Sequence, residues 1–266
     1  MERISGGCIH HTYCLHTSVG KIFLKYNRLA EATNFAIEAQ GLRLLGDTQV
    51  MTVPLVHGCG QVSEFAYILM DWVDQGRQGR DYWPTFGEQL AKLHQHTQPQ
   101  FGLDHDNYIG ALPQVNGLKD NWETFFVEHR LQPMVQMATE RGHLDRNDRQ
   151  AFERLYARLP GMFPVEPPAL LHGDLWGGNV LNGLDGHPVL IDPAVYFGHR
   201  EMELSFMTLF DKQPPTFYDA YQAVYPLDND WRQRIDLCNL YPLLVHVNLF
   251  GGGYIASLRD ALRQYV

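Results

Sequence analysis

Apolar and polar positions alternate through residues 9–17 and 21–26, where Ile, Thr, Tyr, Phe and Leu predominate, and Ser18-Val19-Gly20 supplies a turn between the two runs. The pattern predicts a β-hairpin. From 31 to 45 the period changes: Phe35, Ala39, Leu42 and Leu45 fall on one helical stripe, which Gly46-Asp47 ends. Val50–Val56 and Phe65–Met70 read as two more strands, so the chain opens with a β-β-α-β-β order, an antiparallel sheet carrying one helix.

After Asp71-Trp72-Val73 the texture shifts. Residues 74–81 are polar and glycine-rich, and helical patterns come next at 84–97, 118–141 and 146–158, then at 217–225 and 231–262, around one short β segment at 180–192. The expected class is α+β, divided into a small sheet domain over 1–73 and a larger, mostly helical domain over 74–266.

Hydrophobic residues at 45% and charged residues at 19% are ordinary globular values, so the chain is expected to fold throughout. The formal net charge of −9 repels phosphates at long range, which argues against nucleic-acid or anionic-membrane partners and requires any phosphate site to be local. There is no apolar run of signal-peptide type at the start and no stretch of roughly 18 uncharged apolar residues, so no membrane span and a cytoplasmic location are expected. Cys8, Cys14, Cys59 and Cys238 form no CxxC pair and read as free thiols; the histidines include no HExxH helix and no spaced ligand set for a transition metal.

The strongest chemical signal is His172-Gly173-Asp174-Leu175-Trp176-Gly177-Gly178-Asn179, followed by Asp192 in Val-Leu-Ile-Asp-Pro. It matches the catalytic-loop pattern H-x-D-L-x-x-x-N of kinases, with Gly173 where protein kinases carry arginine. Val180-Leu181-Asn182 and Val189-Leu190-Ile191 can pair as a hairpin; with Asn182 opposite Val189, Asn179 stands opposite Asp192, the Cα atoms about 4.5–5.5 Å apart. An amide oxygen and a carboxylate there suit Mg²⁺, and Asp174 can accept a proton from an incoming hydroxyl.

Upstream, Ile22-Phe23-Leu24-Lys25 reads as a strand with Phe23 and Lys25 on one face, and Glu38, lying among Phe35, Ala36, Ile37 and Ala39, needs a cationic partner that Lys25 can supply. Such a pair would aim the ammonium at nucleotide phosphates. Gly6-Gly7, between Ser5 and Cys8, form a candidate phosphate-covering turn, and Met70, Asp71, Trp72 and Val73 form a connecting strand whose backbone can meet an adenine edge. Cys8, in a turn built to attract phosphate, is a candidate redox-sensitive thiol shielded by bound nucleotide.

In this order the residues resemble the fructosamine-3-kinase (ketosamine-3-kinase) family, which shares the two-lobed fold of aminoglycoside, choline and protein kinases. The likeness extends to Phe101-Gly102, Asp106 to Gly110, Trp122, Phe125-Phe126, Glu128, Arg130-Leu131, Asp192-Pro193-Ala194, Tyr196, Gly198, Arg200-Glu201, Glu203 and Asn248 to Gly252. The resemblance implies an ATP- and Mg²⁺-dependent phosphotransferase acting on the 3-hydroxyl of a small-molecule or protein-bound ketosamine of fructosamine, ribulosamine or erythrulosamine type. The phosphate then promotes loss of the sugar. It also implies Asp174 as base, Asn179 and Asp192 on Mg²⁺, and Lys25 with Glu38 holding phosphates. Trp176 and Glu201 are acceptor-site candidates, and the protein is expected as a monomer or a homodimer, with Cys8 as its redox element. Two departures stand out: the first sheet strand is expected to be abbreviated, and Glu203 occupies a position where aspartate is expected. The alternatives are a kinase for another hydroxylated amine (aminoglycoside, choline or homoserine) and an inactive kinase-fold redox or binding module.

Overall fold

The computed structural model describes residues 1–4, 10–29 and 32–266; Gly6, Gly7 and Cys8 lie outside the described residues. In chain order the elements are β1 (Glu2–Arg3), β2 (His11–Thr17), β3 (Gly20–Arg28), α1 (Ala32–Asp47), β4 (Val56–Val62), β5 (Phe65–Asp71), α2 (Tyr82–Leu93), β6 (Asn107–Ile109), β7 (Leu112–Gln114), α3 (Trp122–Phe125), α4 (Gln132–Glu140), α5 (Arg146–Arg158), β8 (Ala169–Leu171), β9 (Val180–Asn182), β10 (Pro188–Leu190), β11 (Tyr196–Gly198), α6 (Glu201–Phe210), α7 (Pro215–Val224), α8 (Ile235–Phe250) and α9 (Tyr254–Arg263). No helix among the described residues is long and apolar enough to cross a membrane.

The chain forms two compact units, each drawn from separate stretches. The first comprises Met1–Leu93, Gly177–Ala194 and Pro214–Val224; the second comprises His94–Trp176, Val195–Gln213 and Tyr225–Val266. The expected cut at residue 73 therefore gives way to a discontinuous division. α2, the β9-β10 hairpin and α7 all group with the sheet.

In the first unit a five-stranded antiparallel sheet runs in the order β1-β2-β3-β5-β4. Alternation places Ala66, Ile68 and Met70 of β5 on one face, where they bury against the α1 stripe of Phe35, Ala39 and Leu42, with Phe23 packed beside them. The fourth strand lies at Val56–Val62 rather than at 50–56. Pro54 has no N–H to give a ladder, so pairing with β5 begins only after it.

Elsewhere in this unit α2 crosses α7 at Gly87. A Cβ built there would stand 2.1 Å from the Phe217 carbonyl oxygen and 3.2 Å from the Tyr221 nitrogen. Gly87→Ala should gain up to about 1 kcal/mol of helix propensity, but the obstacle is backbone and the helices must separate, at a cost of about 1–3 kcal/mol. We expect a net fall in the urea midpoint with an unchanged denaturant slope.

The second unit is mainly helical, with two short strand pairs, β8-β11 and β6-β7. The helical pattern at 118–141 resolves into α3, a π-helical turn over Phe126–Leu131, and α4. The one at 231–262 is broken between α8 and α9 by Gly251 and Gly252, with φ of 61° and 58°. Two successive left-handed residues cannot continue a helix, and glycine adopts them without a Cβ penalty.

Candidate active site

Lys25 in the first unit is 8% exposed, and a buried ammonium requires partners. Its Nζ lies 3.1 and 3.0 Å from the two carboxylate oxygens of Glu38 and 2.9 Å from Oδ1 of Asp192. Burial alone would lower the Lys25 pKa, but the two carboxylates overcome it and raise it. One cation between two carboxylates leaves an excess negative charge. Burial, reinforced by Asp192 and opposed by Lys25, pushes Glu38 up to about 7.

Asp192 reaches Lys25 by a turn that the sequence did not reveal. The β9-β10 pairing is Pro188 with Asn182, Val189 with Leu181 and Leu190 with Val180, one residue away from the expected register. Gly183 N–H donates to the His187 carbonyl (2.8 Å), and Gly186 at φ 80° donates to the Gly183 carbonyl (2.9 Å), so the hairpin closes on an odd loop, Leu184-Asp185-Gly186. The Asn179 carbonyl therefore accepts from Ile191 N–H at 3.1 Å, and Asp192 comes next with φ 51°, a left-handed conformation uncommon outside glycine, asparagine and aspartate. The carboxylate of Asp192 is about half exposed and Asn179 is buried. One carboxylate and one amide oxygen fit Mg²⁺, which takes few protein ligands and fills its octahedron with water and phosphate oxygens.

Of the backbone groups expected to face an adenine, the Asp71 N–H is engaged within the sheet. It donates to the Leu55 carbonyl (2.9 Å), and the Asp71 carboxylate accepts from Leu55 N–H and contacts His57 Nε2 at 2.8 Å. On either side, Trp72 Nε1 donates to Asp74, and Met70 pairs with Phe23 across the ladder.

In the second unit the catalytic-pattern loop leaves β8, where Leu171 pairs with Tyr196. Glu203 of α6 captures the first turn of that loop. Its Oε2 accepts from His172 N–H (3.0 Å) and from His94 Nε2 (3.1 Å), and its Oε1 accepts from Gly173 N–H (2.8 Å). Glu203 is 2% exposed; burial would raise its pKa, but the His94 bond and the loop amides hold it below the usual carboxylate range. Gly173 takes φ 85°, and Asp174 N–H turns back to His172 Nδ1 at 3.3 Å. A two-residue turn bound through its amides fixes the path of Asp174.

The whole chain, residues 1–266, matches the family model for fructosamine kinase. The chain belongs to the fructosamine kinase family. It is accordingly a phosphotransferase with an alcohol acceptor, and ketosamines are its substrate class. It is 38% identical to a "Probable ketoamine kinase" of Enterococcus faecium, over 98% of this chain and 94% of that one. A solved structure assigned as a fructosamine-3-kinase from Thermobifida fusca is 37% identical, with a TM-score of 0.88, covering 98% of this chain and 91% of the other. One from Haemophilus somnus is 28% identical with a TM-score of 0.92, covering 100% and 90%. The aminoglycoside phosphotransferase APH(4)-Ia, 14% identical at a TM-score of 0.63 over 99% of this chain and 93% of its own, shares the kinase fold.

Glu201 does not serve as the acceptor-site carboxylate expected of it. It is fully buried, and both its oxygens accept from Arg234 at 2.6 Å, so its charge is already paired and shut off from solvent. Glu203, two residues on, which sequence reasoning left without a role, is the carboxylate that binds the loop amides. The available signal was an acid flanked by Met202, Leu204 and Phe206, a setting that demands partners. Trp176, by contrast, is 40% exposed and meets Phe210 edge-on at 5.9 Å.

The buried histidine beside α6 gives this unit a pH dependence. His199 Nδ1 accepts from Glu201 N–H (3.4 Å) while Nε2 faces the Pro164 carbonyl (3.3 Å), a neutral tautomer with both nitrogens used. Burial lowers its pKa, as it does that of His246. A histidine with a depressed folded pKa contributes stability that is complete above its unfolded value of about 6.5 and is lost as pH falls below it. The depressed carboxylates Glu203 and Glu166 lose theirs lower still, as pH falls through their folded pKa values. Glu38 acts in the opposite sense, because a carboxylate raised to about 7 in the folded state adds stability as pH falls from there toward its unfolded range. With that group removed in Glu38→Gln, thermal unfolding between pH 4 and 8 should show a plateau above about 6.5 and a decline below it.

Proposed function

We propose that this phosphotransferase moves the γ-phosphoryl group of ATP, with Mg²⁺, to the 3-hydroxyl of a ketosamine of fructosamine, ribulosamine or erythrulosamine type, free or borne on a protein. The observation that carries the reading is the Lys25 ammonium held by Glu38 and Asp192. No solvated-edge role asks for a buried cation between two carboxylates, whereas a phosphate-orienting lysine beside a metal-site aspartate does.

Asn179 and Asp192 would hold Mg²⁺, which when bound neutralises charge on the phosphates. Glu38 keeps Lys25 extended toward those phosphates, and Asp174 accepts the proton of the acceptor hydroxyl as its oxygen bonds to phosphorus and the β-phosphate oxygen leaves with ADP. Gly6-Gly7 would cover the phosphates, and Met70, Trp72 and Val73 would border the base. Redox control through Cys8, in a monomer or a homodimer, belongs to the same reading.

The test is an ATP-consumption screen across ketosamines, aminoglycosides, choline and homoserine, with the phosphorylated position read by NMR. Turnover confined to ketosamines with phosphate on the 3-hydroxyl is expected. Turnover of aminoglycosides or choline with no ketosamine would overturn the reading.

A further inference from the structure

Within the first unit Thr12 of β2 lies opposite Lys25 of β3 and His11 opposite Tyr26, so the same register brings His10 opposite Asn27. The two side chains are bonded, with Asn27 Nδ2 3.1 Å from His10 Nδ1. Asn27 Oδ1 accepts from Arg28 N–H at 2.8 Å, which makes the other end of that amide the donor toward His10. Nδ1 therefore accepts, and the neutral ring carries its proton on Nε2. Nε2 has no partner among the described residues, and the side chain is only partly buried.

Lys25 and Asn27 stand two apart on β3 and share a face, while Phe35 and Glu38 stand about one turn apart on α1. Strand and helix thus form two adjacent rungs. In one, Lys25 bonds Glu38; in the other, Asn27 bonds His10, whose ring packs on Phe35 with centroids 4.9 Å apart. His10 is close enough to Lys25 and Asp192 to feel both charges. Burial and the Lys25 ammonium, against Asp192, push its pKa down to about 4, so the imidazole is neutral near pH 7.

The order along β3 gives a direction. Ile22 pairs with Asp71, beside the segment proposed to border the base. Lys25 is about 10 Å further along the strand, and Asn27 about 7 Å beyond it. His10 therefore stands past Lys25, at the end of the row farthest from the base, where a triphosphate ends. The three ammonium hydrogens of Lys25 are matched to three carboxylate oxygens, two on Glu38 and one on Asp192, so this end of the site is richer in acceptors than in donors. A phosphate placed there needs further N–H groups. A neutral ring supplies one without the cost of burying a second cation.

We propose that His10 is a nucleotide ligand, its Nε2–H donating to the terminal phosphoryl group of ATP. The proposal rests on ATP as the phosphoryl donor and adds a side chain that distinguishes a triphosphate from a diphosphate.

The experiment measures Kd by calorimetry for Mg-AMP-PNP and Mg-ADP in the parent, His10→Phe and His10→Gln. Phenylalanine keeps the packing on Phe35 without a donor, whereas the glutamine amide can bring its nitrogen to the place of Nε2. For a hydrogen bond to a charged acceptor, His10→Phe should weaken AMP-PNP binding by about 10- to 100-fold and ADP binding by about twofold at most, and His10→Gln should recover most of the difference. Melting temperatures verify folding. In the parent, the nitrogen NMR resonance of His10 Nε2 should move further with Mg-AMP-PNP than with Mg-ADP, a readout that needs no variant. Equal loss for both nucleotides, unchanged affinity in His10→Phe, or a resonance that responds equally to both overturns the assignment while leaving ATP-dependent phosphorylation intact. A parent that binds neither nucleotide removes ATP as the donor, and the ligand role of His10 falls with it.

Discussion

Asp174→Asn should lower kcat by ~10²–10⁴, the contribution of a positioned acid–base group, while Mg-ATP affinity stays close to that of the parent. The physical reason is a division of labour along the loop. Asp174 comes directly after the turn that Glu203 captures through the His172 and Gly173 amides, and its own amide bonds His172, so the substitution changes a side chain on a path fixed by the backbone. An amide in place of the carboxylate keeps size and hydrogen bonding but takes up no proton. Asp192→Asn should behave differently and weaken Mg-ATP binding, since it changes both the proposed metal ligand and a partner of Lys25. Nucleotide titration calorimetry beside single-turnover kinetics separates the two. Near-parental turnover in Asp174→Asn would remove it from the role of base.

Arg234→Met should lower the unfolding free energy by about 3–5 kcal/mol, the cost of leaving a buried carboxylate without its cation. Glu201 is fully buried and receives two 2.6 Å bonds from the Arg234 guanidinium, which also reaches Asp228 at 3.0 Å. Asp228, 43% exposed, can be solvated when the arginine is lost; Glu201 cannot. Pairing Arg234→Met with Glu201→Gln should recover much of the deficit, because a neutral amide costs less to bury than an ion. Urea unfolding of both variants and the parent gives the comparison. A double variant no more stable than the single one would show that packing of the arginine stem, not the stranded charge, dominates.

Local order was legible in the sequence. The β2-β3 hairpin and the α1 stripe arise from periods of two and about 3.6 residues; Phe35, Ala39 and Leu42 of the stripe bury in the first unit with Phe23 packed beside them, whereas Tyr13, Leu15, Ile22 and Leu24 of the hairpin are only partly buried. The partner of a carboxylate surrounded by apolar neighbours was legible too: Glu38 meets Lys25 across a helix and a strand that lie close together in the chain. Segment ends were less so. The strand expected at 50–56 lies at Val56–Val62, and two long helical patterns are interrupted by a π-helical turn and by a pair of left-handed glycines.

Tertiary closure settled the choices between chemically equivalent residues. Glu201 and Glu203 stand two apart in one helix turn, both acidic and both buried, and nothing in their spacing says which meets Arg234 and which meets His94 and the loop amides. Asp192 reaches Lys25 across 167 residues, at an angle set by a three-residue loop whose odd count moved the hairpin register by one. The periodicity of side chains along a chain is a property of neighbouring residues, so sequence determines which faces are apolar and which elements form. Which charges meet depends on long-range closure, where a single added residue in a loop turns every side chain of a strand to the opposite face.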